Sequence, residues 1–192
     1  MILLGILGIA IVTIAIMFIV FSKIDEYVLR KQFEEPNDVI SMIHKWRITF
    51  DVPVRDTLMW ASNAERNLTI GLIEEEFNEL KDALARRDIK AVQDAIGDLY
   101  FVVEQMACIH GINSRNVVKQ VYHSNMSKLC SSLKEVEQSI KKYEQESVEV
   151  EYKPIITENG TLYVLRRKSD KKVLKSINFV EPEFDGFVEY TD

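Results

Sequence analysis

Two long helical periodicities that meet at Arg86-Arg87-Asp88 constrain this chain more than any other feature. The first runs from Asn63 to Arg86 and contains the stretch GLIEEEFNELKDAL. The second runs from Ile89 to His110, is apolar almost all round, and closes at Gly111, a residue type suited to the left-handed end of a helix. Helices joined by so short a break lie side by side and antiparallel. The core therefore reads as all-α, an antiparallel helix bundle.

The first of these helices carries an anomaly. With Glu75 at the origin of a helical wheel and about 100° per residue, Leu72, Ile73, Leu80, Ala83, Leu84 and Phe77 span roughly 60° to 200°. Glu76 falls at about 100°, inside that arc, and Glu75 and Glu79 fall on its border. Glu74, Asn78, Lys81 and Asp82 occupy the opposite side. Unpaired carboxylates on a buried edge cost several kcal/mol each or take up protons. No Lys or Arg lies on that edge, so a divalent cation is the economical counter-charge. The spacings i, i+3 and i, i+4 let these oxygens share one ion, and an all-oxygen set suits Mg²⁺ or Mn²⁺. In the second helix Asp94 and Asp98 stand one turn apart beside Ala91, Ala95 and Val102. The two helices together build a carboxylate cage.

Composition narrows the rest. A net charge of −6 and a pI near 5.2 argue against nucleic acid as a partner, which needs a basic footprint. Two cysteines, Cys108 and Cys130, without a C-x-x-C spacing provide neither a disulfide framework nor a zinc site. The N-terminal run from Ile2 to Phe21 carries no charge, and 20 helical residues span about 30 Å, one hydrocarbon thickness. Residues 1–22 are therefore expected to be a transmembrane anchor, with membrane contact through residues 2–21. Lys23, Arg30 and Lys31 follow it, which predicts a single-pass protein with its catalytic domain on the cytoplasmic side.

The remaining organisation follows in chain order. Residues 23–36 form a charged connector, and residues 37–130 the helical domain. That domain opens with a helix capped at Asn37 or Asp38 and striped by Val39, Ile40, Ile43 and Trp46. A further helix begins at Ser114, and residues 131–147 form a polar helix with Leu133, Val136, Ile140 and Tyr143 on one side. Residues 148–192 read as a small β-hairpin appendage, with strands in VEVEYKPII, TLYVLRRK and KVLKSINF.

The combination of LIEEEFNEL, DAIGDLYFVV, GIN and HSNMSKL resembles the MazG-like and phosphoribosyl-ATP pyrophosphohydrolase-like superfamily of all-α nucleotide pyrophosphohydrolases. The resemblance runs from about Val39 to Leu129 and includes MIHKWRITFDVPV; KKVLKSINFVEPEF is also similar to a C-terminal segment of phage and bacterial members. The family pattern E-E-x-x-E followed by E-x-x-D implies Mg²⁺-dependent conversion of a nucleoside triphosphate to the monophosphate and pyrophosphate. Glu75, Glu76 and Glu79 match its first part and Asp98 its last aspartate. Ala95 departs from the second-part glutamate, and Asp94 is the substitute beside it.

On this resemblance Glu76, Glu79, Asp98 and Asp94 are the metal ligands, and Glu75 orients or deprotonates the attacking water. Asn125 and Lys128 share a helix face that meets sugar, base or phosphate, and Lys175 reaches phosphate from the appendage. His44 and Trp46 line the base pocket. Family resemblance also implies a homodimer or higher homo-oligomer. The departure at Ala95 leaves an alternative, a catalytically degenerate nucleotide-binding sensor or membrane-tethered interaction protein.

Overall fold

In the computed structural model, Lys23 and residues 36–184 are described. They contain five helices and one two-stranded sheet: α1 (Val39–Thr49), α2 (Asn63–Arg86), α3 (Ile89–His110), α4 (Ser114–Met126), α5 (Leu133–Gln145), β1 (Val150–Thr157) and β2 (Gly160–Arg167). The chain divides into two compact units, residues 1–46 and 47–192, with the boundary inside α1.

Among the described residues no helix is long and apolar enough to cross a membrane. The longest apolar candidate, α3, is interrupted by Lys90, Asp94, Asp98 and Glu104. This corrects the expected fold class, an all-α bundle carrying a transmembrane helix, and removes the support for a single-pass membrane placement. The expected anchor and nearly all of the connector lie outside the described residues.

In the first unit, Asp38 starts α1 by accepting hydrogen bonds from the Ser41 amide (3.1 Å) and hydroxyl (2.7 Å). Ile43 is buried, His44 half-buried and Trp46 at the margin of exposure.

In the second unit, α2 and α3 form the antiparallel hairpin that their short junction dictates. Ser62 and Glu65 cap α2 reciprocally, each side chain meeting the other's backbone N–H, which satisfies two orphan donors of the first turn. Arg87 takes a left-handed conformation at φ 56°, and its N–H closes on the Ala83 and Leu84 carbonyls. The Asp88 side chain then accepts from the Lys90 and Ala91 amides and starts α3. Gly111 ends α3 at φ 66°, where a Cβ would also stand 1.9 Å from the Thr57 carbonyl oxygen. That contact belongs to a strap, residues 53–60, laid along the end of α3. Arg55 N–H donates to Cys108 O (3.1 Å), its guanidinium to Ile109 O (2.7 Å), and Met59 N–H to His110 O (2.9 Å). Arg55 also pairs with Glu65 at 2.8 Å, tying the strap to α2.

Within the second unit the helical part is built on this hairpin, and α4 does not pack along α2 or α3 as a bundle member would. Phe77 and Leu84, assigned to the packed stripe of α2 by the wheel, remain 52% and 58% exposed. Burial instead centres on Thr69 and Ala83, with Leu72, Ile73, Glu76 and Leu80 half-buried around them.

The C-terminal part has its own core of Cys130, Val136, Tyr143, Leu165 and Leu174. The hairpin pairs Val150 with Arg167 through Thr157 with Gly160. KVLKSINF is no strand. It touches β2 at one bridge, Arg166 to Val173, and one backbone bond from Leu174 N–H to Leu165 O (3.0 Å), then leaves the sheet. Side chains of α5 capture it instead. The Tyr143 hydroxyl bonds both the N–H and the carbonyl of Lys175 at 3.0 Å, and Ser139 Oγ accepts the Ile177 N–H at 2.9 Å.

Candidate functional site

The turn at Arg87 sets the level of the carboxylates. Glu76 lies 11 residues before it and Asp98 lies 11 after, so an antiparallel hairpin puts them at the same height, about 16 Å from the turn. Glu79 and Asp94 form the next pair down, and Glu75 completes the group from α2. On the wheel, Thr69, Glu76 and Ala83 cluster within about 40° of one another, so Glu76 projects from the middle of the face that meets α3. Ala95 and Val102, both buried, form the opposing floor on α3.

The electrostatics record the same arrangement. The Glu76 carboxyl is pushed above its usual range first by burial and then by the negative charges of Asp98, Glu79, Glu75 and Asp94. Every carboxylate singled out in the sequence is thus felt at Glu76. Among the described residues, none of the five makes an ion pair or a side-chain hydrogen bond. Their burial is lower than the sequence suggests, since Glu76 is half-buried and the other four are exposed. They form an open cluster rather than a closed chelate: no three of them have ligand oxygens all within 4.8 Å of one another. A concentration of hard anionic oxygens with no protein counter-charge can hold a hard divalent cation and, through it, phosphate.

The remaining site residues are distributed more widely. Lys128 Nζ donates to Asn125 Oδ1 at 2.6 Å, so the two share the end of α4, and no ion pair joins Lys128 to the five carboxylates. Lys175 is engaged within its own segment, 2.6 Å from Glu181 and with its ammonium 4.1 Å from the Phe179 ring centroid. His44 and Trp46 lie in the first unit and the carboxylates in the second. Sequence reasoning overlooked the serine network at the end of α4. Ser127 Oγ donates to Ser124 O (2.7 Å) and accepts from Val180 N–H (2.9 Å), and Ser127 O accepts from Ser176 Oγ (2.9 Å). The signal was present, since Ser127 sits inside SNMSK and Ser176 inside KSINF, but their partnership spans 49 residues.

Comparison with known proteins gives two matches. Residues 49–125 match the phosphoribosyl-ATP pyrophosphohydrolase family, and this segment holds all five carboxylates and Asn125. The chain is also similar to uncharacterized protein L479 of Acanthamoeba polyphaga mimivirus, at 29% identity over 121 residues. That alignment covers 61% of this chain and 47% of the viral protein, so the chain spans about half the length of that relative.

Proposed function

We propose that this chain is a Mg²⁺-dependent nucleotide pyrophosphohydrolase of the MazG-like all-α kind, a reading supported by the match of residues 49–125 to the phosphoribosyl-ATP pyrophosphohydrolase family. It converts a nucleoside or deoxynucleoside triphosphate to the monophosphate and pyrophosphate. The observation that carries the reading is the convergence of five unpaired carboxylates around Glu76 in the family-matched hairpin.

Glu76, Glu79 and Asp98 hold the cation, with Asp94 in the role left open by Ala95. Ala95 is fully buried against the floor of the cluster, whereas Asp94 on the preceding position is exposed. When bound, Mg²⁺ or Mn²⁺ screens the triphosphate charge and polarises the phosphate under attack. Glu75, exposed at the border of the cluster, orients a water for in-line attack and accepts its proton. Lys128 donates to phosphate as a point charge, and Asn125 beside it supplies a hydrogen bond to sugar, base or phosphate. Lys175 reaches phosphate only by leaving Glu181. His44 and Trp46 remain the candidates for base contact.

A homodimer completes the reading. A two-helix hairpin cannot bury two faces by itself, and Phe77 and Leu84 on α2, with Ile96, Tyr100 and Val103 on α3, are left exposed. A second copy presenting the same hairpin would turn two helices into four, the smallest arrangement that encloses such stripes.

The direct test is pyrophosphate release from a panel of the eight common NTPs and dNTPs, with and without Mg²⁺. Release in Mg²⁺ and its loss in chelator are expected. Tight Mg²⁺-dependent binding with no release from any nucleotide would replace the enzyme with the sensor reading.

A further inference from the structure

We propose that the segment from Lys175 to Val180 is a brace that fixes the end of α4, and that Ser176 and Ser127 are positioning residues for the Asn125–Lys128 pair. The inference rests on the reading that Lys128 contacts phosphate.

The need for a brace comes from α4 itself. A helix of 13 residues is marginal alone in water, and α4 lacks lengthwise packing against the α2–α3 hairpin. Asn125 sits in its last turn and Lys128 two residues beyond its end, in a turn closed by short-range bonds such as Lys128 N–H to Asn125 O (3.2 Å) and Leu129 N–H to Met126 O (3.2 Å), a helix end of the kind that frays without further support. The tail supplies partners there. Ser127 is joined to it at three points: its carbonyl accepts from Ser176 Oγ (2.9 Å), its hydroxyl accepts from Val180 N–H (2.9 Å), and the same hydroxyl approaches Val180 O (3.4 Å). Ser176 is more than nine-tenths buried, so its bond to the Ser127 carbonyl is the one shielded from competing water, whereas the two Val180 contacts are exposed.

The brace is in turn rigid. Tyr143 holds both backbone groups of Lys175, Ser139 holds Ile177, and Leu174 belongs to the C-terminal core. Glu135 closes the other side by accepting from the Ser131 amide (2.7 Å) and hydroxyl (2.9 Å), which fixes the chain between α4 and α5. The C-terminal part thus acts on the site through backbone position. Lys175 itself is engaged with Glu181 and the Phe179 ring.

The test uses the full chain and two probes. Titration with inorganic tripolyphosphate in Mg²⁺ reads the phosphate contact without a base preference, and amide hydrogen exchange reads the end of α4. Ser176→Ala should weaken tripolyphosphate binding by about three- to tenfold and speed exchange at residues 125–128, since one shielded hydrogen bond is lost. In turnover, KM should rise with kcat within about twofold, because the carboxylate cluster is untouched. Ser176→Thr, which keeps the hydroxyl, should restore both. Ser127→Ala is the second variant should Ser176→Ala fold poorly, with the same expectation. Wild-type binding and exchange in these variants, while Lys128→Ala binds about tenfold more weakly, would overturn the brace and leave the Lys128 reading standing. Unchanged binding in Lys128→Ala would sink the phosphate contact itself; the brace is then overturned as a positioning device.

Discussion

Glu76→Gln should make the protein more stable and nearly inactive at once. The carboxylate lies at the centre of the face that packs on α3, half-buried and surrounded by four like charges. Glutamine keeps the shape and the aliphatic contacts and removes only the charge. A like-charge pair one helical turn apart costs about 0.2–0.5 kcal/mol. Glu76 faces Glu79 at i+3, Glu75 next to it, and Asp98 and Asp94 across the hairpin, all partly screened by solvent. The combined repulsion relieved is therefore about 1 kcal/mol, not several. For α2 and α3 to stay packed under that repulsion, Thr69, Ala83, Ala95 and Val102 must compensate, and all four are buried.

The assay is urea unfolding followed by circular dichroism, in chelator and in millimolar Mg²⁺. In chelator the variant should unfold about 1 kcal/mol later than wild type. In Mg²⁺ the wild type should gain stability by linkage, and the variant should gain much less, so that the order narrows or reverses. Pyrophosphate release should fall by about 10²–10³, the scale of losing one fixed charge-stabilising group. A variant that is no more stable in chelator and releases pyrophosphate normally would refute the argument at both ends, since neither repulsion nor cation would then centre on Glu76.

Three further expectations test other parts of the structure. Gly111→Ala combines a left-handed φ with a Cβ 1.9 Å from the Thr57 carbonyl oxygen and so must displace the strap; a loss of about 3 kcal/mol in urea unfolding is expected, and a loss under 0.5 kcal/mol would contradict the contact. The Glu65 carboxyl has its pKa held at about 2 by its Ser62 and Arg55 partners, so its contribution is present above the ordinary carboxylate range and lost as pH falls through about 2; Glu65→Gln should remove about 1 kcal/mol at pH 6 and clearly less near pH 2, and equal stability loss at both pH values would refute the linkage. On the proposed dimer, wild type should sediment as a dimer and Phe77→Asp as a monomer, and an unchanged sedimentation coefficient would exclude this edge of α2 as the contact.

The elements legible in the sequence are those whose ends are fixed locally. Ser62 with Glu65, Asp88 after Arg87, and Gly111 are caps that act within a few residues, and α2 and α3 begin and end at the residues read from sequence. The wheel likewise found Glu76, because the face of a helix that packs is a periodic property. What escaped were choices made by distant partners. KVLKSINF alternates like a strand, yet Tyr143, Ser139 and Ser127 take its backbone and hydroxyl groups from 32 to 49 residues away. No local pattern carries that information. The exposure of Phe77 and Leu84 escaped for a related reason, since a periodicity says that a face is apolar and not which partner covers it.

That division of the α2 stripe bears on how the site is built. The arc from Leu72 to Ile73, about 60° to 160°, faces inward, while Leu84 and Phe77 at about 180° and 200° face out. Glu76 falls within the inward arc at about 100°, and Glu79 and Glu75 fall below its edge at about 40° and 0°, on the side away from Leu84 and Phe77. With Asp98 and Asp94 on α3, all five charges come from one hairpin and need no second copy to meet. The open edge lies on the other flank of the stripe, so covering it would not displace the acidic cluster. The proposed self-association and cation binding are thus separable by geometry: a substitution at Phe77 should break the first without removing a carboxylate of the cluster. The proposed phosphate and base contacts have no such independence. Asn125 ends α4 and Lys128 follows in the turn beyond it, where the tail bonds Ser127, and no ion pair joins Lys128 to the cluster. In the proposed reading the hairpin carries the cation ligands, and the proposed phosphate and base contacts come from elements outside it.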